Sequence, residues 1–451
     1  MNILILNGSP AGEDSITLQT VRYIQKLFPG HTWAQLNVSP KLKALERDFS
    51  EAREMLEKAE LLLFSYPVYT FLAPAQLHRF LAVLKDSGVD LRGKYATQLT
   101  TSKHFYDVTA HEYIRLNCGD LGLKYLRGLS ADMEDLLTEK GREEARAFFA
   151  RILWAMEQEI DETLPGSSDG PFAPVPASLP PREAERLNPK EVVVVADMGP
   201  EDKDLQGMVE RFRRVCPSPS RVVNIRDFAF AGGCLGCFRC AGTGECFYKD
   251  GFDKLLRREI QSADATVYAF TIRDHSMGCR FKFFDDRQFC NGHRTVTMGK
   301  PVGYLVDGPL SREQNVRMLL EARAQVGGNH LAWIAGNEGD TDAQIDRLAL
   351  ELDYDLRTGF RESANFYGVG GMKIFRDLIF TMQGLMREDH RFYKKHGFYK
   401  DFPQRHRGKI AAMYLVGGLM NNPKLSKKLG SNMTKGMLMP YENVLKKVKP
   451  E

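Results

Sequence analysis

The sequence predicts an α/β protein built as two tandem doubly wound parallel-sheet units, with a basic extension at its C-terminal end. Three observations carry this. Short apolar runs alternate with helical stretches in both halves, the pattern of a parallel sheet covered on two faces. Residues 164–181 hold six prolines in eighteen residues, a run that is neither helix nor central strand. The second half repeats the first at countable offsets. The expected boundaries are 1–160, a Pro-rich linker over 161–190, a second unit over 191–360 and a helical extension over 361–451. The 451 residues are 43% hydrophobic and 27% charged, with a net charge of +4, which excludes a disordered or fibrous chain. The small net charge gives no case for nucleic acid. No apolar run reaches the roughly 18 residues of a membrane span, and the N-terminus lacks the basic start of a signal peptide, so a cytoplasmic protein is expected.

In the first unit, strand 3–6 is followed by a turn and a helix over 18–27. A polar helix is expected over 44–58, then strand 61–65, helix 74–84, strand 95–100 and a long helix over 139–160. In the second unit, residues 193–200 align with 3–10 at an offset of 190, and 263–284 with 59–80 at an offset of 204. Gly299-Lys300 then aligns with Gly93-Lys94 at 206. The jump of 14 falls where four of the eight cysteines lie, within 234–246. That places a cysteine loop after the second strand of the second copy. From Arg391 to Glu451 there are fourteen Lys/Arg against three Asp/Glu, so this segment is +11 and the rest of the chain −7.

Three loops leave the C-terminal ends of first-unit strands, the edge where open α/β sheets bind ligands. The first, Asn7-Gly8-Ser9-Pro10-Ala11-Gly12-Glu13-Asp14-Ser15-Ile16-Thr17, opens a helix. Free N–H groups and the dipole there suit a phosphate, and Ser9, Ser15 and Thr17 add hydroxyls. The same residues also read as a helix cap, and phosphate binding requires Glu13 and Asp14 to point away. The second loop, Ser65-Tyr66-Pro67-Val68-Tyr69-Thr70-Phe71, is proline-stiffened and aromatic, fit to lie along a flat heterocycle. The third is Thr100-Thr101-Ser102-Lys103-His104. These loops resemble those of the flavodoxin-like NAD(P)H-dependent FMN reductases. The resemblance implies a flavodoxin-like fold, with Ser9, Ser15, Ile16 and Thr17 at the FMN phosphate. Pro67, Val68, Tyr69 and Thr70 would then line the ring, with Thr101 and Ser102 nearby.

The cysteine segment reads C-x2-C-x2-C-x5-C: Cys234, Cys237, Cys240 and Cys246. Four thiolates on so compact a loop suit a [4Fe–4S] cluster, whereas zinc sites usually pair two knuckles further apart; zinc and free thiols remain the alternatives. This spacing in such a unit is similar to the iron–sulfur flavoproteins. Where the first unit has its phosphate loop, the second has Met198-Gly-Pro-Glu-Asp-Lys-Asp204, which repels phosphate, and Thr271-Ile272-Arg273-Asp274 replaces 67–70. Lys282 and Asp286-Arg287 nonetheless resemble the family's helix after that loop. Cys118, Cys279 and Cys290 are expected to be dispensable. His275, His293, His390, His396 and His406 show no metal-ligand spacing, and no catalytic residue stands out. The aromatics at 392, 393, 398, 399 and 402 suit either packing or covering a flavin.

The resulting expectation is an FMN-dependent oxidoreductase, soluble and homo-oligomeric. It would pass electrons between FMN and the cluster, with NAD(P)H or ferredoxin as donor and a small molecule or redox protein as acceptor. A non-catalytic electron carrier and a flavin reductase with structural zinc are the alternatives. A substrate pocket beside Tyr69 and His104 would favour an enzyme.

Overall fold

The computed structural model describes residues 1–162 and 171–420. The strands are β1 (Asn2–Asn7), β2 (Thr32–Asn37), β3 (Leu61–Pro67), β4 (Tyr95–Ser102), β5 (Lys124–Tyr125), β6 (Leu129–Asp132), β7 (Val192–Ala196), β8 (Ser220–Asn224), β9 (Ala265–Thr271), β10 (Pro301–Asp307) and β11 (His330–Gly336). Helices of the first half are α1 (Ile16–Leu27), α2 (Val38–Leu45), α3 (Ser50–Lys58), α4 (Ala75–Ser87), α5 (Asp107–Asp120) and α6 (Glu139–Glu157). The second half has α7 (Lys203–Val215), α8 (Arg239–Thr243), α9 (Phe252–Lys254), α10 (Cys279–Arg287), α11 (Gln314–Gly327), α12 (Thr341–Thr358) and α13 (Phe366–Thr381). Further on lie α14 (Arg387–Lys395) and α15 (Arg407–Met420).

Both sheets are wholly parallel. The first runs β2-β1-β3-β4-β5, with β6 also on β4, and the second β8-β7-β9-β10-β11. Each is the 2-1-3-4-5 order of a flavodoxin-like doubly wound fold. In the first sheet the fifth strand is broken into β5 and β6, which pair with the two ends of β4. Gly128 lies in the break, where a Cβ would come within 2.4 Å of the Gln98 side chain.

Strand parity builds three apolar layers, because successive side chains face opposite ways. Ile3 and Ile5 of β1 join an outer core with α1 and α6, while Leu4 and Leu6 point inward. In β7, Val192 and Val194 join the other outer core with α7 and α12, while Val193 and Val195 point inward. The inward residues of both sheets belong to one central core, in which Phe80 of α4 and Phe281 and Phe284 of α10 are buried. There α4 packs on α10 and α5 on α11, so the two units dock about a pseudo-twofold within one chain.

The elements depart from sequence expectation in identifiable places. The helix expected over 44–58 is two helices, α2 and α3, separated by a turn in which Asp48 accepts the Ser50 N–H at 3.0 Å. Residues 171–190 contain no helix or strand, but they are not a free spacer. Val175 N–H donates to the Asn337 carbonyl at 3.0 Å, and Arg211 donates to the Ser178 carbonyl at 2.7 Å. Residues 163–170 of the expected linker lie outside the described residues.

Residues 1–391, which include both sheet units, form one compact body, and those from Phe392 onward another. Of the expected helical extension, α13 belongs to the larger body and packs on α11. In the smaller one, rings pack on one another, Tyr393 on Phe398 and Tyr399 on Phe402. The Lys-rich stretch 421–451 lies outside the described residues. Among the described residues no helix is long and apolar enough to cross a membrane.

Candidate functional site

The carboxyl edge of the first sheet carries the three loops read from the sequence. After β1 the chain turns through a 3-10 segment, Gly12–Asp14, into α1, whose N-cap Ser15 accepts the Leu18 N–H. Asn7 braces the turn, donating to the Gly12 carbonyl at 2.9 Å and accepting the Ser9 N–H at 3.2 Å. Ser9, Ser15 and Thr17 are buried. Glu13 turns off the loop to Arg22 and Gln35. Asp14 does not turn away: it stays on the cavity rim, exposed.

The second loop is a tight reverse turn. Tyr69 and Leu72 exchange both backbone hydrogen bonds, at 2.8 and 3.0 Å, with Thr70 and Phe71 in the left-handed region between them (φ 43° and 72°). Two successive non-glycine residues in that region store strain, which surrounding contacts must hold. The third loop is tied to the first by the Thr17 and Thr101 hydroxyls, 2.6 Å apart. His104 is not among the residues that line the cavity with Tyr69, so a pocket beside both is not formed. It is half exposed, left-handed (φ 52°), and meets Ser130 at 3.2 Å and Asp107 at 3.4 Å.

The second unit supplies the opposite wall. Its cysteine loop follows β8 and is held by the buried Arg287. Arg287 donates to the Gly232 carbonyl at 2.9 Å and to both Asp250 oxygens at 2.8 and 2.9 Å, and stacks on Tyr248. The loop lies directly on the first unit. A Cβ at Gly236 would fall 1.9 Å from the Tyr69 hydroxyl, and one at Gly233 2.7 Å from Gln76 Nε2. None of the eight cysteines is in a disulfide. Burial pushes the Cys240 thiol up to about 11, against the opposing Gly292 N–H. Among the described residues no three His, Cys, Asp or Glu side chains are closed around a single metal position.

These walls bound one cavity of about 540 Å³. Ser9, Ser15, Ile16, Thr17, Pro67, Val68, Tyr69, Thr70, Thr101 and Ser102 line it from the first unit, and Cys234, Cys237, Cys240 and Cys246 from the second. Sequence reasoning missed the remaining wall, residues 287–297 with Phe375 of α13. Cys290 lies there, so a fifth cysteine shares the cavity. So does His293, read as isolated: its backbone and ring nitrogens meet the buried Asp389 at 2.9 and 3.1 Å. The available signal was the offset change from 204 to 206, which falls in this segment.

The equivalent loop of the second unit is closed on itself. Arg226 bridges Asp197, Glu201 and Asp202 at 2.8, 2.7 and 3.0 Å, and Asp202 takes the Gly199 N–H at 2.8 Å. The carboxylates occupy the donors a phosphate would need.

Residues 1–129 match the family model described as NADPH-dependent FMN reductase. An "Iron-sulfur flavoprotein" from Archaeoglobus fulgidus is 26% identical over 177 residues, covering 37% of this chain and 79% of the relative. Among solved structures, an FMN-dependent NADH-azoreductase from Bacillus anthracis in complex with FMN is 15% identical, with a TM-score of 0.28, covering 34% of this chain and 98% of its own. An NAD(P)H:quinone oxidoreductase from Methanothermobacter marburgensis is 16% identical, with a TM-score of 0.28, covering 35% of this chain and 96% of its own.

Proposed function

We propose that this chain, an FMN-dependent oxidoreductase by its N-terminal domain, passes electrons between FMN in the first unit and a [4Fe–4S] cluster in the second. NAD(P)H or ferredoxin is the donor. One observation carries this reading: the flavin-type loops and the four cysteines, from different sheets, line the same cavity.

The residues fit both groups, with exposed Asp14 on the rim the one acid that weighs against the phosphate end. Ser9, Ser15 and Thr17 present buried hydroxyls beside the start of α1, where N–H groups and the dipole favour phosphate. Pro67, Val68, Tyr69 and Thr70 form a stiff wall for a flat ring, and Thr101 and Ser102 complete it. Cys234, Cys237, Cys240 and Cys246 offer four thiols on one wall of the cavity, and their compact C-x2-C-x2-C-x5-C spacing suits a polynuclear cluster better than the paired knuckles of zinc. When bound, FMN exchanges electrons in pairs or singly and the cluster exchanges them singly. The chain's own part would be to hold the two groups from the two units, with Tyr69 of the flavin loop resting on Gly236 of the cysteine loop.

Anaerobically purified protein tests this. The expected result is one FMN and about four irons per chain, with oxidised-flavin bands and a broad iron–sulfur shoulder. Stoichiometric zinc without iron sinks the cluster half of the proposal, and the lack of any flavin sinks the other.

A further inference from the structure

The second unit keeps Lys282, Asp286 and Arg287 although its own flavin loops are gone, and the structure gives these residues a use. The 204-residue offset pairs them with His78, Ala82 and Val83 of the first unit. So the first unit keeps the loops and has lost these side chains, while the second has done the reverse. Across the pseudo-twofold, Lys282 Nζ donates to the Tyr69 carbonyl at 2.8 Å and to Thr70 Oγ1 at 2.5 Å. Asp286 accepts from Thr70 Oγ1 at 2.7 Å and from the Ala75 N–H at 2.8 Å, and pairs with Lys282 at 2.5 Å. Both side chains of this pair are fully buried.

The reciprocal position is different. His78 stacks on Tyr113 at 4.0 Å, and its buried Nε2 has no partner. The matching turn of the second unit, with Asp274 and His275 left-handed, is held from the first unit by Lys85, about one-fifth exposed, at 3.0 Å from Asp274. Two strained turns therefore exist, and only the one facing the cysteines is clamped by a fully buried ion pair.

We infer that Lys282 and Asp286 are positioning residues for the flavin loop of the first unit, supplied by the second, and that Arg287 positions the cysteine loop from the same helix. The inference rests on the proposed function for the identity of the flavin loop. Helix α10 thus fixes both walls of the cavity at once, and the flavin site is incomplete without the second unit.

The test uses the full-length double variant Lys282→Met/Asp286→Leu. Replacing both members of a buried pair by apolar side chains is tolerated far better than removing one, so the fold should survive. Hydrogen exchange of flavin-free protein is read over residues 66–77 and 231–250. The expected result is exchange about tenfold faster in 66–77 only, since the turn loses its clamp and opens locally. FMN affinity should fall by at least about tenfold, with iron content unchanged. The control Lys85→Met/Asp274→Leu should leave 66–77 protected. Arg287→Met should give the converse pattern, with 231–250 deprotected and iron lost. Should the double variant not fold, Thr70→Val, which removes the hydroxyl shared by Lys282 and Asp286, must show the same deprotection of 66–77. Unchanged protection of 66–77 in the folded variant overturns the inference. Wild-type protein that takes up no FMN overturns the proposed function instead, while the exchange measurement still decides the clamp.

Discussion

Gly236→Ala probes the docking of the two units at a single atom. Gly236 has φ +63°, and an added Cβ would meet the Tyr69 hydroxyl at 1.9 Å. Ordinary contact begins near 3.4 Å, so the ring must retreat by 1.5 Å or the cysteine loop must lift by as much. Tyr69 has little room to retreat: its backbone is pinned by Leu72 and Lys282, each at 2.8 Å, and its ring meets Phe289 edge-on with centroids 6.2 Å apart. The left-handed backbone costs a non-glycine residue about 1–2 kcal/mol. Overpacking of a fixed site adds about 1–3 kcal/mol. The sum, about 2–5 kcal/mol, goes either into stability or into displacing the flavin wall. A thermal melt reads the first, with a fall of about 4–10 °C at roughly 2 °C per kcal/mol for a unit of this size. Fluorescence titration with FMN reads the second, with affinity weakened at least about thirtyfold if the loop absorbs the strain. Removing the hydroxyl relieves part of it, because the next ring atom, Cζ, stands at 2.9 Å; Tyr69→Phe/Gly236→Ala should recover part of the loss. A Gly236→Ala protein with wild-type melting and wild-type FMN affinity would show that Tyr69 does not rest on the cysteine loop, and the shared cavity would fall with it.

Ser9→Asp sets a carboxylate against the proposed phosphate position and should weaken FMN binding by at least about tenfold in a fluorescence titration; wild type should bind one FMN per chain, because Glu201 and Asp202 already occupy the second loop. Cys246→Ser should abolish iron incorporation by elemental analysis, and Cys118→Ser, in the buried core of the first unit, should not. His275 links the units: burial alone lowers its pKa, but hydrogen bonds to Asp120 and Glu313 outweigh this and raise it to about 9. A raised folded pKa stabilises fully below the unfolded value of 6.5 and is lost as pH rises through 9, so denaturation midpoints should fall across that window and His275→Gln should flatten the fall.

The strands of the central sheets were legible because they are buried on both faces and read as unbroken apolar runs, as in Val192–Ala196. The repeat was legible where both copies keep the same job: β3 and β9, and α4 and α10, start 204 residues apart. Edge strand β2 was not, because only Leu36 in it is buried and its residues carry no apolar pattern. Helix α5 was missed because it is wedged between the first sheet and α11, and Thr109, Asn117 and Cys118 are buried beside Tyr113 and Ile114. At the candidate site, single loops announced themselves through Ser, Thr, Pro and Cys at fixed spacing. The contacts between them did not: Thr70 and Asp286 are 216 residues apart, and His293 and Asp389 are 96. Lys282 and Asp286 of α10 looked like remnants because their partners Tyr69, Thr70 and Ala75 lie in the other unit.

Joining both sheets in one polypeptide around one central core frees the composite cavity from mass action. Two separate chains meeting at such an interface would part on dilution below their dissociation constant, and cofactor retention would depend on protein concentration. Here the second wall is present at the effective concentration set by the tether, of millimolar order for short linkers, however dilute the protein. With free FMN held constant, melting temperature and flavin occupancy should therefore be flat from micromolar to nanomolar protein. The same covalent bond removes a constraint that symmetry imposes. In a homodimer any change to one half is made in both, so neither loop could be lost without losing it twice. In this chain each half is free to keep only the side chains that its neighbour uses.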